Sequence, residues 1–251
     1  MKSRTFAVGD IHGCYDELML LMEKLKKEAK LDYEKDVVVF VGDHIDRGPK
    51  SKQVVTQLMK WKEKYPHWQF LYGNHEDLML DALIGNGQIY QSYDLWWMQG
   101  GKETAQSYIP PDRTMYEKAI SSVKDSIPWK HLDWLRNLPY YYENEDYFFV
   151  HAGIPPKLTL GEFKLKIDQN DAETKKQAIW IRDEFIDNTK YWGKKIIYGH
   201  TVVPSFQPVV KENKIGIDTA ICAVNGTGRL IAIELPVEKF YQQESLIKIN
   251  I

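Results

Sequence analysis

The sequence predicts an α/β protein on three observations. Five short β-branched or aromatic runs are each followed at once by Gly with Asp, Asn or His. Amphipathic helical periodicity separates the first two runs. The chain, 251 residues with 43% hydrophobic and 27% charged, is long enough for one large core and short for two. The runs are Thr5–Val8 before Gly9-Asp-Ile-His-Gly13, Val37–Val41 before Gly42-Asp-His-Ile-Asp-Arg-Gly48, and Gln69–Tyr72 before Gly73-Asn-His-Glu76. Tyr147–Val150 before His151-Ala-Gly153 and Lys195–Tyr198 before Gly199-His-Thr201 complete the set. Ligands of open α/β sheets bind beyond the carboxyl ends of the strands, so these loops are expected to deliver polar side chains to one sheet edge.

Between the first two runs, Leu18, Leu21, Met22, Leu25 and Ala29 recur at helical spacing and predict a helix over Asp16–Lys30, hence a βαβ unit. Val55, Leu58 and Met59 predict a shorter helix over Val54–Trp61. Residues 85–146 break the pattern: Gly85-Asn-Gly87, Gly100-Gly101 and Pro110-Pro111 punctuate them, and five aromatics lie from Tyr90 to Tyr108. This stretch is expected to be an inserted, mainly helical segment of a single 1–251 domain, leaning over the sheet edge. Within it, Ser126 and Pro128 open a helix that Leu132, Leu135 and Leu138 line and Pro139 stops. Ile215-Gly-Ile217 and Leu230–Leu235 are expected to be further strands.

Lys plus Arg is 33 and Asp plus Glu is 35, a net charge of −2. That balance excludes a nucleic-acid coat or a membrane-surface protein, which need a large basic excess. The longest aliphatic run, Val37–Val41, is far short of a bilayer span, and Phe6-Ala7-Val8 is too short for a secretory signal. A cytoplasmic protein without a membrane partner is expected, its oligomeric state open. Cys14 and Cys222 have no metal-like or redox-like spacing and pair only if the fold joins them, so they are expected to be reduced, inert thiols.

The loop residues Asp10, His12, Asp43, Asn74, His151 and His200 are a set that a metal would choose. Mixed imidazole and carboxylate donors suit first-row ions such as manganese, iron and zinc. Six exceed the needs of one four-coordinate zinc, whereas two ions sharing a carboxylate use about this number. Any one of them alone reads more readily as a cap or turn residue than as a ligand. Taken jointly, folding has no need of three Asp, one Asn and four His at strand ends.

In order, these blocks resemble the motifs of the phosphoprotein phosphatase family of calcineurin-like metallophosphoesterases, and most of all its small bacterial and phage members. The resemblance runs from about Phe6 to His200, and Ile217-Asp-Thr219 with Arg229–Leu235 is similar to the family's closing strands. It implies two mixed β-sheets in a sandwich flanked by helices. It further implies that Asp10 and His12 bind one metal, that Asp43 bridges two, and that Asn74, His151 and His200 bind the second. His75 would be the general acid, oriented by Asp46, and Arg47 would grip the phosphate. Arg182 in Trp180-Ile-Arg-Asp is the match for a second phosphate-binding arginine. The implied cofactors are two divalent transition-metal ions, manganese first and iron or zinc as alternatives.

The implied reaction is in-line attack of a metal-bridging hydroxide on a phosphate ester, without a phosphoenzyme. A serine/threonine-type phosphoprotein phosphatase is the first expectation and a bis(5'-nucleosyl)-tetraphosphatase the alternative, so the partner is a phosphorylated protein or a nucleotide. A non-catalytic phosphate-binding protein is opposed by the intact set that includes His75, Asp46 and Arg47. His44, His67 and His131 are expected to be bystanders or packing residues, and Trp96-Trp97-Met98 to pack the inserted segment rather than wall a nucleobase.

Overall fold

A computed structural model describes residues 4–85, 89–109, 120–223 and 226–247. Asn86-Gly87 and Pro110-Pro111 lie outside the described residues. The strands form two five-stranded sheets. The first contains β1 (Thr5–Val8), β2 (Val37–Phe40), β3 (Gln69–Phe70), β9 (Arg229–Leu235) and β10 (Lys239–Glu244), in the order β10-β9-β1-β2-β3. Here β1, β2 and β3 are parallel, and β9 runs antiparallel to β1 with Val8 opposite Ala232. The second contains β4 (Tyr141–Glu143), β5 (Tyr147–Val150), β6 (Lys195–Tyr198), β7 (Val209–Val210) and β8 (Lys214–Gly216), in the order β4-β5-β6-β8-β7. Its three central strands, β5, β6 and β8, are parallel.

Alternation along the strands explains the unbroken apolar runs. Ala7, Val39, Leu71 and Ile233 of the first sheet pack in one cluster with Phe149, Ile197 and Ile215 of the second. Their neighbours Phe6, Val8, Phe40 and Phe70, with Phe148 and Ile196, pack in another cluster with residues of the helices. Both faces of the central strands are therefore buried, which is why their inner positions read as near-continuous apolar runs. On the helix side Phe40 stacks on Phe70 at 4.9 Å between ring centres and lies 6.0 Å from Trp61 and 6.3 Å from Trp68.

Helix α1 covers Tyr15–Lys24 and continues as a π-helical turn, Leu25–Ala29, that ends at Lys30 with a left-handed φ of 54°. The second helix, α2, extends over Ser51–Lys64, longer at both ends than its apolar stripe predicts. Helix α3 (Asn74–Ile84) starts inside the third loop motif. The following helices are α4 (Ile89–Trp96), α5 (Lys102–Tyr108), α6 (Ile120–Ser126) and α7 (Trp129–Arg136), the last opened by Pro128. Three more, α8 (Leu160–Asp168), α9 (Ala172–Trp180) and α10 (Asp183–Ile186), flank the second sheet's connections.

Three differences from the sequence expectation have simple causes. The loops extend from two sheets, as the family resemblance implies, and not from the single sheet edge that the strand pattern alone suggests, because β5 pairs with β6 and not with β3. Tyr141–Glu143, inside the stretch expected to be a helical insertion, pairs antiparallel with β5 and is the second sheet's edge. Lys239–Glu244 is a half-polar edge strand whose pairing with β9, not an apolar run, makes it a strand. Among the described residues no helix is long and apolar enough to cross a membrane.

The aromatic stack under β2 gives a test of this packing. Phe40→Ala is expected to lower the unfolding free energy by about 3–5 kcal/mol. Urea unfolding followed by tryptophan fluorescence measures it, and a loss under about 1 kcal/mol would contradict the stack as core.

Candidate active site

The loops after β1, β2 and β3 and those after β5 and β6 meet where the carboxyl ends of the two sheets adjoin. Ile11 and His12 both donate their N–H to the Asp43 carbonyl, at 3.1 and 2.9 Å, and the Gly48 N–H returns to the His12 carbonyl at 2.9 Å. Fully buried Glu76 accepts the N–H groups of Asp43 (3.0 Å), His44 (2.9 Å) and Gly73 (3.0 Å). One carboxylate at the start of α3 thus fixes the second loop onto the third.

The backbone is bent to aim these side chains. His12, Asp43, Asp46, Arg47 and His200 have φ of 46°, 49°, 71°, 67° and 63°, in the left-handed region that non-glycine residues seldom occupy. Such conformations cost free energy and persist where the surroundings over-determine them. Two glycines make room. A Cβ on Gly42, whose φ is 110°, would stand 2.6 Å from His151 Nδ1, and one on Gly199 would stand 2.0 Å from Asp10 Oδ1.

The Asp43 carboxylate lies at the centre. Its Oδ1 is 3.3 Å from His151 Nε2, and its Oδ2 is 3.7 Å from His12 Nε2 and 3.9 Å from His75 Nε2. Asn74 Oδ1 is 2.9 Å from His151 Nε2 and 2.8 Å from His200 Nδ1. Two buried triads result, His12–Asp43–His75 and Asp43–His151–His200, each with its donor atoms within 4.8 Å of one another. They share Asp43. Asp10 stands in neither triad but is tied to the second, its Oδ2 accepting the His200 N–H at 2.9 Å.

Several groups here lack the partner that a cation would be. The His151 Nδ1 lies 2.9 Å from the Val41 carbonyl, which only accepts, so Nδ1 carries the proton. The ring's other nitrogen, Nε2, faces two oxygens, Asn74 Oδ1 at 2.9 Å and Asp43 Oδ1 at 3.3 Å. Asp10 Oδ1 and His200 Nε2 are buried without a hydrogen-bond partner. Burial, reinforced by the charges of Asp218 and Asp43, pushes the Asp10 carboxyl well above the usual carboxylate range. Burial and then Arg47 push His12 well down, and burial with His151 and Arg182 takes His200 down to about 2. Burial also opposes ionisation of Asp43, but the imidazoles of His151, His75 and His12 outweigh it and hold that carboxyl low. Crowded acids among buried imidazoles are a donor set for divalent first-row ions, and two ions sharing Asp43 fit it.

Beside this centre His75 Nδ1 donates to Asp46 Oδ2 at 2.8 Å. Asp46 is itself enclosed: Trp96 Nε1 donates to Oδ1 and Oδ2 at 3.0 and 3.1 Å, and Thr104 Oγ1 donates to Oδ1 at 2.7 Å. The Arg47 guanidinium reaches both imidazoles, with 2.8 Å from Nη1 to His12 Nε2 and 3.0 Å from Nη2 to His75 Nε2. The Arg47 backbone N–H donates to the Gly100 carbonyl at 3.0 Å. Arg182 is exposed at the other side, its Nη1 donating to the His200 carbonyl at 3.1 Å and to Thr201 Oγ1 at 3.3 Å.

All ten residues singled out from the sequence are thus in one place. Glu76, Trp96, Thr104 and Asp218 belong with them and were not assigned to the site from the sequence. Glu76 sits inside a motif block and Asp218 inside Ile217-Asp-Thr219, so local pattern could have flagged both. Nothing local marks Trp96 or Thr104, which meet Asp46 from 50 and 58 residues away. The expectation that Trp96 packs is half the story: it is fully buried, and its indole N–H serves Asp46. Trp97 stacks on Tyr93 at 5.4 Å, and Met98 is 82% exposed. His44 turns away from the centre, its Nε2 on the Leu71 carbonyl at 3.0 Å, and burial lowers it to about 4. His131 packs against Tyr108, Nδ1 to hydroxyl 2.9 Å.

The sequence pattern of the calcineurin-like phosphoesterases matches residues 3–223. A bis(5'-nucleosyl)-tetraphosphatase, PrpE [asymmetrical], of Bacillus velezensis is 31% identical over 226 residues, covering 84% of this chain and 82% of its own. Serine/threonine-protein phosphatase 1 of Salmonella typhimurium is 27% identical over 183 residues, 72% of this chain and 70% of its own. A solved structure of a candidate diadenosine tetraphosphatase superposes with a TM-score of 0.62 at 21% identity, covering 99% of this chain and 96% of that one. With the shared fold and the paired triads around Asp43, the match over most of its length makes this chain a member of the calcineurin-like phosphoesterase family, a metal-dependent phosphatase.

Proposed function

We propose that dinucleoside polyphosphates are the preferred substrates of this phosphatase and that it works with two divalent ions, manganese first, that share Asp43. The observation that carries the two-ion reading is the Asp43 carboxylate, one oxygen toward His12 and His75 and the other toward His151. In this reading Asp10, His12 and Asp43 hold one ion, and Asp43, Asn74, His151 and His200 hold the other. Two such ions supply a water acidic enough to attack at neutral pH and spread the charge of the phosphoryl group. The chain does the rest. Asp46 holds the His75 ring so that Nε2 faces the centre and protonates the leaving oxygen. The Arg47 fork, already between two imidazoles, turns to the phosphoryl oxygens, and Arg182 approaches them from the His200 side.

The likeness to the Bacillus tetraphosphatase spans more of both chains than the likeness to the Salmonella phosphatase. That supports placing the nucleotide reading ahead of the phosphoprotein reading, the reverse of the order expected from sequence. The phosphoprotein reading remains the second, supported by that second relative.

Three measurements test these assignments. Asp43→Asn is expected to abolish metal-dependent hydrolysis of an aryl phosphate, and near-normal turnover would refute the shared carboxylate. His75→Asn is expected to retain the metals by elemental analysis while turnover falls about 10²–10⁴-fold, most for poor leaving groups. Loss of metal in that variant would make His75 a ligand instead. Turnover of diadenosine tetraphosphate under Mn²⁺ is expected to exceed that of a phosphoserine peptide, and the reverse ranking would reinstate the phosphoprotein reading.

A further inference from the structure

Cys14 and Cys222 are 208 residues apart in sequence, yet their Sγ atoms lie 3.3 Å apart. Both are free thiols. Both also touch one backbone atom, the His12 carbonyl oxygen, with Cys14 Sγ at 3.4 Å and Cys222 Sγ at 3.6 Å. That oxygen accepts the Gly48 N–H at 2.9 Å and so fastens the loop bearing Asp43, Asp46 and Arg47 to the loop bearing Asp10 and His12. The packing around it is close: a Cβ on Gly48 would stand 2.2 Å from the His12 oxygen and 2.9 Å from Cys14 Sγ. On the far side, Cys222 ends the segment that begins at Asp218, whose charge acts on Asp10. The thiol pair therefore joins the first loop motif to the closing segment directly behind the candidate centre.

We propose that Cys14 and Cys222 are a redox-modification site whose oxidant is a peroxide and whose product, an internal disulfide, slows hydrolysis. Cys222 is half-buried and Cys14 only 1% exposed, so the oxidant meets Cys222 first. Hydrogen peroxide converts the Cys222 thiol to a sulfenic acid and releases one water. The Cys14 sulfur then attacks that sulfur, the S–H of Cys14 and the S–OH of Cys222 break, one S–S bond forms and a second water leaves. Two electrons have passed from the two sulfurs to the peroxide, and the two thiol protons end in water. The sulfurs must close from 3.3 Å to the roughly 2.05 Å of a disulfide, and neither any longer offers an S–H to the His12 carbonyl. His12 has a left-handed backbone (φ 46°) and its ring is held by Nδ1 on the Ile45 carbonyl at 3.0 Å, so a shift of its peptide turns the ring away from Asp43.

The test treats the manganese-loaded protein with hydrogen peroxide, stops the reaction with catalase, and follows both peptide mass and aryl phosphate turnover. The expected result is a Cys14–Cys222 linked peptide pair two hydrogens lighter than the reduced pair. Turnover should fall about tenfold or more and recover with dithiothreitol. Cys222→Ser should keep the untreated rate and lose none of it to peroxide. The proposal is overturned if no linked pair forms in the wild type, or if it forms with turnover unchanged. Equal inactivation of wild type and Cys222→Ser would also overturn it, because the injury would then lie at the metals. The linked-peptide readout is independent of substrate, so failure of the nucleotide reading leaves it intact.

Discussion

The Asp43 carboxylate, buried where two sheets meet, is the group on which the rest of the site depends. Burying an ionised carboxylate is expensive unless donors or positive charge surround it. Here Oδ1 accepts the His75 N–H at 3.0 Å, and three imidazoles close around the two oxygens. The same residue's carbonyl binds the first loop and its N–H binds Glu76 of the third. One amino acid thus sets the spacing of the loops from β1, β2, β3 and β5. Its left-handed φ of 49° is the local cost, and the surrounding hydrogen bonds offset it.

Around that anchor the electrostatics are deliberately unbalanced. Buried Asp43 and Asp218 raise the cost of ionising Asp10, and Asp43 raises that of Asp218, while His12 and His200 are driven toward neutrality by burial. Isolated, such a cluster is unfavourable; filled with divalent charge, it becomes a tight donor set. Strain and charge frustration therefore point at the same few residues, which is where a fold that must do chemistry departs from what folding alone prefers.

The helical segment after α3 is a working part of this arrangement. Trp96 from the end of α4 and Thr104 from α5 hold Asp46, and the Gly100 carbonyl between them holds the Arg47 N–H. A Cβ on Gly100, whose φ is 106°, would stand 2.6 Å from the Arg47 nitrogen, so the segment seats on the loop backbone itself. Behind the first loop, the His12 carbonyl joins Gly48 to the two thiols, so the frame is as tightly tied on its hidden side as on its open one.

The sequence alone determined what is local. Short apolar runs ending in Gly with Asp, Asn or His identify strands and the loops after them, because burial on both faces forces the runs and close backbone approach forces the glycines. That was enough to pick out Asp10, His12, Asp43, Asn74, His151 and His200, and the family resemblance of the same blocks added His75, Asp46, Arg47 and Arg182. What the tertiary structure decided is everything that depends on distant partners. The pairing of β5 with β6, the edge strands β4 and β10, the enclosure of Asp46 by Trp96 and Thr104, and the meeting of Cys14 with Cys222 leave no local periodicity. They arise from contacts across tens to hundreds of residues, whose energetics belong to the packed sheets and not to any segment read by itself.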